Sequence, residues 1–294
     1  MLKYRCGVFH VLARIESLKA TPQIDTLFKV LTPMGYKLLF KMLFVKYPDL
    51  LKRLVAELLG IIYDDIELFS ITNPEMPPET LGDKFCRLDI NMIVDGQRVD
   101  LEVQVENEGN YPERSLFIWA KEFSTAIKEG DNFSELPKTI IISILGYNQF
   151  KDSTEFHSEF GALEINRHTP LSDKFCLHFF ELKKLPPLES ANSGKELWLS
   201  LFNAKTEEDL AEIEAMEVPI MSTALQAYRH VAASDEFKEK ERMWSKARHD
   251  EAQALLNAEL REREKWQGIV DEKNVALAEQ AALIAELQAQ LGKK

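Results

Sequence analysis

The dipeptide Asp95-Gly96 constrains the fold of this chain more than any other feature, because it joins two runs of alternating apolar and polar residues and so marks a two-residue β-hairpin. With Val94 and Gln97 flanking the turn, the register follows: Asn91 faces Asp100, Asp89 faces Glu102 and Arg87 faces Gln104. The other face of the ribbon pairs Met92 with Val99, Ile90 with Leu101, Leu88 with Val103 and Cys86 with Val105, an apolar surface for helices to cover. A slip of one residue would spoil both faces together.

This register sets Asp89 against Glu102 with their Cβ atoms about 4.5–5.5 Å apart, which is unfavourable unless something offsets the charge. A hard divalent cation, Mg²⁺ or Mn²⁺, is one partner. It takes carboxylate and carbonyl oxygens plus water, and either the backbone carbonyl of Val103 or Asp100 at the rim could complete its ligand set. The other reading is a plain solvated face on which Arg87 or Lys84 pairs the acids, since exposed faces of antiparallel sheets are commonly polar.

Around the hairpin the order is mixed α/β. Apolar residues at three and four spacing from Leu38 to Leu59 predict two helices, the second opened by Pro48 and closed by Gly60. Strand-like runs follow at Ile66–Ile71, Phe85–Val94, Val99–Val105, Thr139–Leu145 and Phe175–Leu182, with a helix expected from Pro112 to Lys128 ahead of Gly130. Of the aromatic residues, only Tyr228, Phe237, Trp244 and Trp266 lie beyond residue 203. That places an N-terminal extension at residues 1–30, the main domain at 31–203 and a helical tail at 204–294. In the tail Val270, Leu277, Ile284 and Leu291 recur every seven residues, which suits a short coiled coil and a homodimer formed through it; one amphipathic helix folded back on the domain is the alternative.

Charge is unevenly spread. The net charge of −12 argues against a phosphate-binding surface over the whole molecule, yet residues 1–60 carry ten bases against four acids, and residues 61–136 six against seventeen. No stretch approaches the length of a membrane-spanning helix, and no export signal is evident, so no membrane partner is expected. The three cysteines, Cys6, Cys86 and Cys176, give no disulfide framework and suit a reducing cytoplasm. Neither His-x-x-x-His nor Cys-x-x-Cys occurs, which argues against a zinc site.

Several segments, in order, resemble one family. They are Leu88-Asp89-Ile90, the Asp-Gly turn, Leu101-Glu102-Val103-Gln104, Arg114 to Trp119, Lys128-Glu129-Gly130, Ile140 to Leu145, Tyr147-Asn148-Gln149-Phe150, His157 and His178 to Leu182. Together they are similar to the recombination-promoting nuclease or transposase family of the PD-(D/E)XK superfamily. The resemblance implies a restriction-endonuclease-like α/β core, a mixed central sheet flanked by helices, followed here by the long helical tail. It also implies metal-dependent cleavage of DNA phosphodiesters, with Asp89 and Glu102 as metal ligands and Gln104 at the position of the superfamily's Lys.

The same resemblance exposes a departure: members usually carry Asp before Phe-Lys on the first helix, where this chain has Lys37-Leu38-Leu39-Phe40-Lys41. Two functions follow as expectations. One is a Mg²⁺-dependent DNA endonuclease in which Arg87, across the ribbon from Gln104, supplies the cation a Lys would bring, with Arg114, Lys37 and Lys41 contacting DNA phosphates. The other is a catalytically degenerate nuclease fold that binds DNA or serves assembly.

Overall fold

The Asp95-Gly96 turn has positive φ at both positions, 47° and 79°, as a type I′ turn demands. It joins β2 (Ile90–Val94) to β3 (Gln97–Gln104) with Val94 opposite Gln97, Met92 opposite Val99, Asn91 opposite Asp100 and Ile90 opposite Leu101, the register expected from the alternation. The Asp95 carboxylate adds a second role, accepting from the backbone N–H groups of Glu67 (3.0 Å) and Leu68 (2.7 Å) and so fixing the approach to β1 (Phe69–Ile71). The computed structural model describes residues 33–73, 89–128 and 130–291. Arg87, Lys84 and Cys86 lie outside them.

Six strands make one mixed sheet in the order β1-β2-β3-β4-β6-β5, with β4 at Thr139–Leu145, β5 at His157–Leu163 and β6 at Pro170–Glu181. β4 runs parallel to both β3 and β6, and the other pairs are antiparallel. Every residue of β4 is buried, as a parallel strand covered on both faces requires. The sequence pattern does not foresee β5. Its residues are half-buried or exposed at the sheet edge, and register shifts around Phe160 and Ala162 break the alternation.

The opening helices are α1 (Pro33–Lys46) and α2 (Pro48–Leu59), and α2 stops where Gly60 takes a left-handed φ of 68°. α1 is apolar around most of its circumference, with Leu38, Leu39, Leu43 and Phe44 fully buried. Phe40 stacks on Phe202 of α4 (Gly194–Asn203) with ring centroids 4.0 Å apart. This packing fixes the rotation of α1, and with it the direction taken by Lys37 and Lys41, one turn apart.

α3 spans Tyr111–Ser124, one turn shorter than the expected helix. Arg98 explains the early stop: its guanidinium donates to the carbonyls of Glu122 (2.8 Å) and Thr125 (3.3 Å), occupying acceptors at the end of the helix. Tyr111 packs with Ile141, Leu145, Tyr147, Leu177 and Phe179, so α3 covers the sheet face that also carries Asp100, Glu102 and Gln104. After α4 come α5 (Glu207–Glu214), α6 (Pro219–Ala233) and the long α7 (Asp235–Leu291). The chain divides into a compact unit ending at Arg242, in which Tyr228 and Phe237 are buried, and a second unit from Met243 onward. Among the described residues, no helix is long and apolar enough to cross a membrane.

Candidate metal centre and active site

The polar face of the hairpin is not solvated. Asp100, Glu102 and Gln104 are 3%, 7% and 3% exposed, because α3 lies over them. Asp89, one residue before the β2 ladder begins, is half-buried, and one carboxylate oxygen from each of Asp89, Asp100 and Glu102 lies within 4.8 Å of the others. Asn91 sits between two of these acids, its amide nitrogen turned to donate to Asp89 Oδ2 (2.8 Å) and Asp100 Oδ1 (3.3 Å).

Burial raises the Glu102 carboxyl above the usual glutamate range and the neighbouring Asp89 raises it further, while Arg114, the Gln104 amide and Lys37 pull it back. A buried carboxylate held this close to two others calls for a counter-charge. The oxygen-only donor set of Asp89, Asp100 and Glu102 suits Mg²⁺ or Mn²⁺. A cavity of about 210 Å³ lined by Asn91, Asp100, Arg98, Glu122 and Thr139 opens beside Asp100; Asp89 and Glu102 do not line it. Val103, whose carbonyl is the other candidate ligand, lies in β3 opposite Ile144 of β4.

Cations reach the site from two helices. From α1, Lys37 Nζ donates to Gln104 Oε1 at 2.8 Å, and Gln104 Nε2 donates to Glu102 Oε2 at 2.7 Å, so an ammonium, an amide and a carboxylate stand in line. Burial lowers the Lys37 pKa, opposed chiefly by Glu102. Lys41, one turn on and 2% exposed, donates to the backbone carbonyl of Asp89 at 3.0 Å. From α3, Arg114 places one guanidinium nitrogen 4.0 Å from Glu102 Oε2 and another 3.5 Å from Glu108. Tyr111 fixes the start of α3 through its hydroxyl, which donates to Ser143 Oγ at 2.9 Å.

The structure thus brings together Asp89, Glu102, Gln104, Lys37, Lys41 and Arg114, drawn from α1, the hairpin and α3. The Lys37 contact spans 67 positions and rests on tertiary packing, so no local pattern announces it. Asn91 could have been read from the register, since it alternates with Asp89. Other basic residues of the first helices turn away: Lys52 donates to the Ile66 carbonyl and Arg53 pairs with Asp49. Glu181, in the His178 to Leu182 run, serves the fold, accepting from the N–H groups of Gln149 and Phe150 and pairing with Lys184 at 2.6 Å.

No curated protein and no solved structure matches the chain. The family profile of PD-(D/E)XK nuclease family transposases matches residues 36–258, a span that holds the hairpin, both flanking helices and every residue of the acidic cluster. A match over so much of the chain, together with a mixed sheet that gathers Asp89, Asp100 and Glu102 beside Gln104, places this protein in the PD-(D/E)XK nuclease family of transposases.

Proposed function

We propose that the protein is a divalent-metal-dependent DNA endonuclease, with Mg²⁺ or Mn²⁺ held by Asp89, Glu102 and either Asp100 or the Val103 carbonyl. The observation that carries this reading is the buried acidic cluster joined to a cation through Gln104. A bound cation would polarise the scissile phosphate and lower the pKa of an attacking water. Gln104 orients that water, its amide already fixed because Lys37 takes its oxygen and Glu102 its nitrogen. Lys37 supplies the positive charge that Gln104 lacks, offsetting negative charge that develops on the phosphate. Arg114, 42% exposed at its side chain, is the remaining candidate for phosphate contact; Lys41, expected from the sequence to contact DNA, is instead buried and donates to the Asp89 carbonyl.

Lys37 bears on the rival reading of a degenerate fold. Its ammonium enters the site where a charge is needed, which supports a rearranged active site over a decayed one. We further propose that the helix beyond Arg242 joins two copies, since Leu260, Val270, Leu277 and Ile284 are 45%, 47%, 61% and 56% exposed in the single chain. The deciding experiment incubates purified protein with supercoiled plasmid in EDTA, Mg²⁺ or Mn²⁺, beside Asp89→Asn. Metal-dependent nicking that the variant lacks supports the enzyme; binding without cleavage supports the rival.

A further inference from the structure

A second group of ligating side chains lies at the far edge of the sheet, on the face opposite the acids. β5 carries His157 and Glu159, β6 carries Cys176 and His178, and one intervening residue in each pair keeps both members on one face. Glu159 stands directly across from His178 in the ladder. Cys176 Sγ is 3.2 Å from His178 Nε2 and 3.5 Å from Glu159 Oε1, and ligand atoms of the three residues all fall within 4.8 Å of one another. A tetrahedral zinc ion, with Zn–S of about 2.3 Å and Zn–N or Zn–O of about 2.0–2.1 Å, separates its ligand atoms by about 3.3–3.6 Å. The thiol therefore already stands at ligand spacing from Glu159 and within a few tenths of an ångström of it from His178.

The neighbour of His178 fits as well. His178 Nδ1 lies 3.0 Å from His157 Nε2, which holds the ring and leaves Nε2 as the nitrogen turned towards Cys176. A ligating imidazole characteristically has its other nitrogen held in this way. Cys176 and His178 are 3% and 6% exposed, whereas Glu159 is at the surface and leaves a path for an ion and for a fourth ligand from solvent. Lys138 and Lys195 both act electrostatically on His178, and a divalent ion with one thiolate and one carboxylate bound to it forms a neutral group beside them.

We propose that Cys176, His178 and Glu159 form a binding site for a borderline-soft divalent cation of the zinc type, with His157 as the residue that positions His178. On binding, the thiol proton passes to solvent and the thiolate, imidazole and carboxylate bond to the ion. Because Glu159 comes from β5 and the other two ligands from β6, the ion cross-links the edge strand to the sheet. Its sulfur and nitrogen donors differ in kind from the oxygen cluster of Asp89, so the two centres sort different metals. The spacing rules applied to the sequence suit zinc ligands on helices and tight loops; the two-residue period of paired strands escapes them.

The test is a Co²⁺ titration of the full-length protein after EDTA treatment and dialysis. One equivalent should give a thiolate-to-cobalt charge-transfer band with tetrahedral d–d bands, displaced by Zn²⁺ and untouched by Mg²⁺. The band should survive in Asp89→Asn and in the Cys6→Ser/Cys86→Ser double variant and vanish in Cys176→Ser. Glu159→Gln, at the exposed edge, and His157→Gln should weaken cobalt affinity about 10- to 100-fold. Zn²⁺ should raise the melting temperature of the wild type; with Cys176→Ser unfolded, Glu159→Gln decides. Absence of the charge-transfer band, its persistence in Cys176→Ser, or an unchanged affinity in Glu159→Gln overturns the proposal.

Discussion

Lys37 donates a 2.8 Å hydrogen bond to the side-chain oxygen of Gln104, and so brings an ammonium from the first helix to the amide that in turn donates to Glu102. Lys37→Ala should lower single-turnover plasmid cleavage by about 10²-fold, the scale of losing one charge-stabilising donor. Adding Gln104→Lys to that variant should restore much of the rate. Arg87→Ala, tested alongside, separates this assignment from one in which Arg87 supplies the charge. Full activity in Lys37→Ala would remove Lys37 from the mechanism.

Glu102→Gln should abolish cleavage and leave the metal-free protein as stable as the wild type or more so. The native Glu102 carboxyl is raised above its unfolded value by burial and by Asp89. The folded state therefore binds the proton more tightly, and its stability falls as pH climbs from the ordinary glutamate range through the higher native value. Melting temperatures of the two proteins in EDTA should accordingly diverge as pH rises from 4 to 7 in favour of the variant, and Mg²⁺ should stabilise the wild type more. A variant less stable at every pH would count against charge repulsion at this site.

Removal of residues 243–294 should take the particle from two copies to one by light scattering while plasmid-independent Mn²⁺ binding persists. The cut belongs after Arg242 rather than at the start of α7, because Phe237 is 2% exposed and belongs to the core of the first unit. A mass that falls only by the residues removed, with the number of copies unchanged, would retire the dimer.

Gly96→Ala should cost about 1 kcal/mol or more in chemical denaturation, because alanine resists the φ of 79°. Asp95→Ala should cost a similar amount by releasing the N–H groups of Glu67 and Leu68. Both changes lie far from the acids, so metal affinity per folded molecule should hold.

The hairpin was legible because a tight turn and a two-residue period together allow only one pairing, and that pairing assembles the acids. β4 was legible as an isoleucine-rich run, interrupted only by Ser143, whose bounds the structure reproduces at Thr139–Leu145. What escaped depends on distance in sequence or on irregularity. Nothing local ties Lys37 to Gln104, whose meeting follows from Phe40 packing on Phe202. The β5 strand escaped because an exposed edge needs no apolar alternation. Its loss hid the cysteine and histidine cluster, since Cys176 and His178 acquire Glu159 and His157 only once that strand is in place.

Arg98 and Arg114 fasten the two ends of α3 to one strand, Arg98 at the beginning of β3 gripping the helix C-terminus and Arg114 at the helix start reaching Glu102. The cover over the acidic cluster is consequently tied at both ends, by hydrogen bonds at the helix C-terminus and by a longer ion pair at its start. Amide protons of α3 should then exchange with solvent almost as slowly as those of β3, since releasing the helix means surrendering the strand's contacts too. Such a roof holds the carboxylates in one arrangement before any ion arrives, with Arg98 and Arg114 marking its two ends.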